Sequence, residues 1–127
     1  MERLLSTPID VHPVSPLSLA YVGDGVYELM VREHLLCQAN RPSGELHRLS
    51  VAAVRAEAQA AAIERLMPHL TEREIAVYKR GRNAHTARTG SDYHSATGFE
   101  ALWGYLYLDG QRDRLTELFA LIQEERV

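Results

Sequence analysis

The stretch that decides the fold is residues 16–38, PLSLAYVGDGVYELMVREHLLCQ, in a chain of 127 residues. Its apolar side chains recur near the spacing of one helical face, so the sequence predicts one long helix over 16–38. Ser15, followed by Pro16, is typical of an N-cap and the first helical position. Gly23 and Gly25 are out of place in such a helix, because each costs up to ~1 kcal/mol relative to alanine. We therefore expect that another element packs against the backbone at these glycines, or that space is needed there.

The segments on either side of this helix predict an all-α fold of about five helices in one domain over residues 1–127. Prolines restrict the backbone of residues 1–14, which we interpret as an extended N-terminal arm. Thr71 and Glu74 have the spacing of a capping box, and Gly81 is expected to end the helix that they begin. No stretch shows the period-two alternation of a strand. The further helices are predicted over about 45–66, from Thr71 to about Arg80, 95–108 and 111–125.

Composition excludes several classes of protein. One cysteine among 127 residues excludes a disulfide framework and a cysteine-rich zinc site. Cys37 follows apolar residues near the end of the first helix, and we expect it to be a small core residue. No apolar run approaches the ~20 residues that span a bilayer, and the N-terminus does not read as a signal peptide, so we expect a cytoplasmic protein. The net charge of −3 by itself gives no hint of a polyanionic ligand.

Two carboxylates stand in unusual surroundings. Asp24 lies between two glycines inside the apolar first helix, and Glu28 follows one turn later on the same face. Glu100 lies in a second apolar helix, with Gly98 and Gly104 near it. A partly exposed helix carboxylate is the ordinary interpretation of each. The alternative is that Asp24 and Glu100 converge on one divalent cation, for which oxygen ligands suit Mg²⁺ or Mn²⁺.

A basic segment separates the third and fourth predicted helices. Residues 79–94 carry four Lys or Arg side chains and one Asp, a net charge of +3, with two histidines in addition. Residues 82–94 lack apolar periodicity and are predicted to form a mobile basic loop. The loop could simply be solvated, but arginine and asparagine side chains are also what phosphate backbones require.

Two segments carry a resemblance to a known family. The run LAYVGDGVYE at 19–28 resembles the ribonuclease III motif, in which a Gly-Asp pair in an apolar helix supplies a catalytic carboxylate. The run YHSATGFEALWGYLYL at 93–108 resembles the helix that carries the other essential acid of that family. LHRL at 46–49 and RGRNA at 80–84 match more narrowly. Together they resemble Mini-ribonuclease III, the short branch without a double-stranded RNA-binding domain, over about residues 15–120.

This resemblance implies a single ribonuclease III-type endonuclease domain that hydrolyses double-stranded regions of structured RNA. Asp24 and Glu100 would be the catalytic residues and the ligands of Mg²⁺, which Mn²⁺ could replace, and a metal-activated water would leave 5′-phosphate and 3′-hydroxyl ends. The role of Glu28, placed beside these ligands, stays open. The expected substrate is ribosomal RNA precursor, with help from a ribosomal protein in ribosome biogenesis.

The same resemblance implies a homodimer, and it assigns surfaces to the partner protomer and to RNA. Duplex RNA is recognised through its shape, phosphates and 2′-hydroxyls. The residues assigned to the RNA backbone are Lys79, Arg80, Arg82, Asn83, His85, Arg88, His47 and Arg48. The residues assigned to the dimer interface are Phe99, Trp103, Leu106 and Tyr107, because they make up more aromatic and apolar surface than a five-helix domain needs.

Two departures from ordinary ribonuclease III leave alternatives open. Ala20 and Thr97 stand where that enzyme has acidic residues, which reduces the set of metal ligands and is expected of the Mini branch. A non-catalytic RNA-binding or ribosome-associated module on the same fold is the main alternative function. Another all-α metal phosphohydrolase is less favoured, since the sequence lacks an adjacent His-Asp pair.

Overall fold

A computed structural model describes residues 3–84 and 90–124, and these residues form only helices, turns and irregular segments. The all-α prediction is confirmed. None of the helices in these two ranges is long and apolar enough to cross a membrane. The elements are α1 (Pro16–Gln38), α2 (Ser43–Val54), α3 (Ala56–Leu66), a short 3₁₀ turn (Met67–His69), α4 (Glu72–Arg82), α5 (Ser91–Leu108) and α6 (Arg112–Glu124).

The predicted helix over 45–66 is in fact two helices, with the break at Arg55. The Arg55 backbone is extended, with φ −67° and ψ 159°. Its carbonyl then accepts hydrogen bonds from the amides of Ala58 and Gln59, and so begins α3. Neither glycine nor proline marks this break, which explains why the alanine-rich sequence predicted a continuous helix.

The predicted caps of α1 and α4 are confirmed. The Ser15 side chain accepts a hydrogen bond from the Ser18 amide, and Pro16 occupies the first helical position. The Thr71 hydroxyl accepts from the Glu74 amide, while the Glu74 carboxylate accepts from the Thr71 amide. The expectation for Cys37 was wrong, because its side chain is exposed at the end of α1.

The glycines of α1 and α5 let these two helices touch through their backbones. A Cβ at Gly23 would overlap the Glu100 carbonyl, and one at Gly104 would overlap the Leu19 carbonyl. Close packing at Gly23 was expected and is confirmed. The same expectation fails at Gly25, where a Cβ would meet nothing within 4 Å.

A second glycine contact joins α4 to α5. A Cβ at Gly98 would lie 2.7 Å from the ring of Tyr78, and one at Gly81 would lie 2.7 Å from the Ala101 side chain. The prediction that Gly81 ends α4 was wrong. Gly81 lies inside that helix and forms part of its packing surface. The four glycines of these two contacts, Gly23, Gly104, Gly81 and Gly98, let α1 and α4 pack closely against the same central helix, α5.

The apolar side chains of α5 lie at the centre of the core. Phe99 and Trp103 stack with their ring centroids 4.7 Å apart, and the Tyr27 ring meets both edge-on. The Trp103 indole N–H also points at the Met30 sulfur, 3.3 Å away.

This packing overturns most of the predicted dimer interface. Phe99, Trp103 and Leu106 are each 0% exposed, so they are fully occupied within the protomer and offer no surface to a second copy. Tyr107 is partly exposed, and its hydroxyl accepts a hydrogen bond from the Leu4 amide of the N-terminal arm. The aromatic excess in the sequence therefore fills the core.

A buried ion pair joins α4, α6 and the 3₁₀ turn. The Arg114 guanidinium donates to both carboxylate oxygens of Glu74 at 2.8 Å, and it donates to the His69 carbonyl at the same distance. Burial by itself raises the pKa of Glu74, but the hydrogen bonds from Arg114 and from the Thr71 backbone outweigh burial and hold that pKa below its usual value. Glu74 is thus a charge that the fold neutralises.

Candidate active site

Asp24 and Glu100 meet where α1 crosses α5. The crossing is close because Gly23 lets the α1 backbone lie against the Glu100 carbonyl. The carboxyl group of Asp24, on the neighbouring residue, lies within hydrogen-bonding distance of the Glu100 carboxyl. Asp24 is exposed, whereas Glu100 is half-buried. Two acids separated by 75 residues of sequence therefore share one site that opens to solvent.

The surroundings of Glu100 disfavour its negative charge. Burial raises the pKa of Glu100, the negative charge of Asp24 and the hydrogen bond with Asp24 raise it further, and the pKa reaches about 8. A hydrogen bond from Gln59 acts in the opposite direction. Adjacent carboxylates repel each other unless they share a proton or bind a cation, so at neutral pH this pair holds either a proton or a cation.

The donor atoms present fit a hard divalent cation. Mg²⁺ is commonly bound by one or two protein carboxylates, with water and substrate phosphate completing its shell. Among residues 3–84 and 90–124, no cluster of three or more acidic, histidine or cysteine side chains could hold a metal ion. The site therefore offers two carboxylates, Asp24 and Glu100, and is exposed to solvent at Asp24.

The three neighbouring positions singled out in the sequence add no carboxylate to this pair. Glu28 lies one turn beyond Asp24 on α1, but its carboxylate accepts a hydrogen bond from Arg32 at 3.1 Å. Ala20 is buried in the protomer. The Thr97 hydroxyl donates to the Tyr93 carbonyl at 2.9 Å.

Sequence reasoning missed Gln59. This side chain lies on the buried face of α3 and is 1% exposed. Its amide Nε2 donates to Glu100 Oε2 over 3.4 Å, a long hydrogen bond. A polar residue at an apolar position of a helix is a signal that could have identified it. The alanine-rich surroundings made the apolar face of α3 hard to recognise.

The basic residues at the end of α4 lie beside the α5 turn that carries Glu100. Gly81 contacts Gly98 and Ala101, the positions on either side of that acid. Lys79 and Arg80 are exposed in the same last turn of α4. The Arg82 guanidinium lies 5.7 Å from the centre of the Tyr78 ring, and its Nε donates to the Asn83 side chain.

The predicted basic loop is only partly described. Its ends are helical, because α4 includes Arg82 and α5 begins at Ser91. His85 and Arg88 lie outside the described residues. Their assignment to RNA stays a prediction.

His47 and Arg48 lie farther from the two acids. Both are exposed on α2. His47 lines a groove of about 250 Å³ together with Arg32 and Leu36 from the second half of α1. Arg32 is eight residues beyond Asp24, a separation of about 12 Å along a helix. His47 therefore lies beside the second half of α1, about two helical turns beyond Asp24.

Comparison with known proteins identifies the family. A model of the ribonuclease III domain matches residues 17–111. The Mini-ribonuclease 3 of Symbiobacterium thermophilum is 52% identical over 108 residues, 81% of this chain and 83% of that protein. The chain belongs to the Mini-ribonuclease 3 family. The family member of Thermoanaerobacter sp. is 43% identical across 92% of this chain and 86% of its own length.

A solved structure agrees with this assignment. The crystal structure of a Fusobacterium nucleatum protein superposes with a TM-score of 0.83 at 26% identity, covering 94% of this chain and 100% of the other. Family membership confirms the resemblance in the sequence and makes the chain an endoribonuclease that acts on double-stranded RNA. The coexistence of Asp24 and Glu100 in one open site is consistent with that activity.

Proposed function

We propose that Asp24 and Glu100 are the catalytic carboxylates and hold Mg²⁺, for which Mn²⁺ could substitute, in the hydrolysis of duplex RNA. The observation that carries the proposal is the close approach of these two acids at the crossing of α1 and α5. Bound there, Mg²⁺ would lower the pKa of a water molecule and stabilise charge on the scissile phosphate. The products would carry 5′-phosphate and 3′-hydroxyl ends.

The protein side chains have separate tasks in this proposal. Asp24, which is exposed, faces the solvent side from which a phosphate would arrive. Glu100 closes the buried side of the site. Lys79 and Arg80 lie on α4, which packs against α5, and would bind phosphates of the RNA backbone. Such contacts also displace counterions from the duplex.

The cleavage experiment uses purified protein and a long RNA duplex in Mg²⁺. We expect fragments with 5′-phosphate ends, no cleavage in EDTA and none by Asp24→Asn. Asp113→Asn is the matched control, because Asp113 is an exposed acid on α6. A duplex that stays intact in Mg²⁺ while it binds the protein would instead favour a non-catalytic RNA-binding module.

Salt dependence tests the RNA surface. Replacing Lys79 and Arg80 together by Gln should lower the slope of log K against log salt by about 0.9 for each lost phosphate contact. Arg112→Gln, which changes an exposed arginine on α6, should leave the slope unchanged. An unaltered slope in the double variant would refute the assignment of this turn to RNA.

We also propose that the protein acts as a homodimer, with its interface on α1 in place of the buried aromatic residues. Leu17, Tyr21, Leu29 and Leu36 are exposed on one face of that helix, and Tyr21 is 83% exposed. A second copy covering this stripe would lie next to Asp24, so that the two sites face one duplex. Sedimentation should show a dimer that Tyr21→Glu disrupts and Ala120→Glu on α6 does not. A wild-type monomer at micromolar concentration would contradict it.

The physiological substrate proposed is ribosomal RNA precursor, in ribosome biogenesis in the cytoplasm. The support is the family assignment and a site that opens to solvent at Asp24. A ribosomal protein bound to that RNA would assist by fixing the shape of the duplex. Accumulation of unprocessed ribosomal RNA ends in cells that carry only Asp24→Asn is the expected result, and normal ends would exclude this substrate.

A further inference from the structure

Gln59 is the buried polar side chain of α3 that lies next to the proposed metal site. The helix presents Gln59, Ala62, Ile63 and Leu66 on its buried face. A leucine at position 59 would continue that apolar face without a polar group. Burying an amide is unfavourable unless the amide is hydrogen-bonded. The position therefore needs an explanation beyond packing.

The hydrogen bond of Gln59 gives that explanation. Nε2 donates to Oε2 of Glu100, and Gln59 itself is buried. Fixing one oxygen of a carboxylate by an outer hydrogen bond restricts its rotation and directs the other oxygen. Metal ligands in proteins are commonly oriented in this way by residues that do not touch the metal.

We propose that Gln59 is a positioning residue, which holds the Glu100 carboxylate in the orientation that binds the divalent cation. The inference rests on the proposed metal site at Asp24 and Glu100. Gln59 itself does not touch metal or RNA. Its effect is on how well the site binds the cation, and the affinity for RNA should be unaffected.

The test measures Mn²⁺ binding to the RNA-free protein by calorimetry, followed by cleavage kinetics. Gln59→Leu preserves the size of the side chain and removes the donor. We expect Mn²⁺ to bind about 10-fold more weakly, with kcat reduced at limiting Mg²⁺ and KM for the duplex unchanged. Ile63→Val, one turn along the same buried face, is the matched control and should lower the Tm without changing Mn²⁺ affinity.

Two further variants keep the test decisive. Gln59→Asn retains the amide but shortens its reach, so it should behave as Gln59→Leu does and replaces it if the leucine variant does not fold. Gln59→Glu removes the donor and adds a carboxylate. Weaker Mn²⁺ binding by this variant supports a positioning role, whereas binding at least as tight as wild type, together with unchanged binding by Gln59→Leu, would overturn the proposal.

Asp24→Asn separates failure of this inference from failure of the proposed site. If Asp24→Asn loses Mn²⁺ binding while Gln59→Leu binds as wild type with an unchanged kcat, the role of Gln59 is refuted and the metal site stands. If Asp24→Asn also binds Mn²⁺ as wild type does, the metal site itself is refuted, and the inference with it.

Discussion

Glu74 and Glu100 are two glutamates of one small fold in opposite electrostatic surroundings. Glu74 is buried and receives the full guanidinium fork of Arg114, so its pKa is lowered. Glu100 has a second acid, Asp24, for a neighbour, and its pKa rises to about 8. The fold neutralises the glutamate that joins three elements. The negative charge of Glu100, which lies in the candidate active site, is instead opposed by burial and by Asp24.

The largest expected effect comes from neutralising the uncompensated acid. Glu100→Gln should lower kcat about 1,000-fold, because the proposed metal site would lose one of its two carboxylates, and metal charge stabilisation contributes several kcal/mol. The free energy of unfolding of the metal-free protein should rise by about 1 kcal/mol, since a neutral amide is neither penalised by burial nor opposed by the charge of Asp24. Cleavage assays and thermal unfolding in EDTA measure the two effects. Full activity, or a stability below wild type, would remove the contrast with Glu74.

A second test separates the acids without changing either. Gly23→Ala places a Cβ into the Glu100 backbone and should destabilise the fold by about 3 kcal/mol. Gly25→Ala is the matched control on the other side of Asp24, where space is open. It should stabilise α1 by roughly 0.5–1 kcal/mol, because alanine is the better helix former. Denaturant unfolding measures the stability of both variants. Equal changes in the free energy of unfolding would show that the close crossing at Gly23 is not what brings the two acids together.

Replacing Glu74, whose charge Arg114 neutralises, should lower the stability and leave the activity unchanged, which is the reverse of what we expect for Glu100→Gln. Glu74→Gln leaves Arg114 without its buried partner and should cost about 2 kcal/mol of stability, a decrease in Tm of roughly 8 °C. Cleavage at a temperature where the variant is folded should equal that of wild type. A loss of kcat under those conditions would mean that the ion pair acts on the site and does more than join helices.

The smallest effect is the acid dependence of that same pair. Because the pKa of Glu74 is lower in the folded than in the unfolded protein, the pair contributes fully above the unfolded value of about 4.5, and its contribution is lost as the pH falls through the folded value. The stability curves of wild type and Glu74→Gln should therefore converge as the pH falls below the unfolded value of about 4.5. Curves that stay parallel over this range would contradict the lowered pKa.

The sequence predicted the features that depend on local patterns. The cap at Ser15, the capping box of Thr71 and Glu74, and the extent of α1 follow from short-range hydrogen bonds and helical spacing. The juxtaposition of Asp24 with Glu100 was proposed on their surroundings, and the structure brings them together.

Features that depend on contacts between distant elements were missed. No glycine or proline lies at the helix break at Arg55, so the local sequence does not indicate it. Gln59 donates its hydrogen bond to Glu100, 41 residues away in the sequence, so neighbouring residues do not indicate its role. The stop predicted at Gly81 was wrong because that glycine serves packing against α5. Trp103 was assigned to a surface because sequence periodicity does not tell how many helices surround α5.

The central position of α5 has a consequence for hydrogen exchange. Residues 101–106 are all buried, with neighbours from α1, α3 and α4 around them. Their amides should exchange only when the whole domain unfolds, whereas those of α2, at the periphery, should exchange through local opening. Glu100 directly precedes this buried segment and should share its slow exchange. The proposed catalytic carboxylate of Glu100 would then share the rigidity of the core, whereas Asp24 lies on the exposed side of α1.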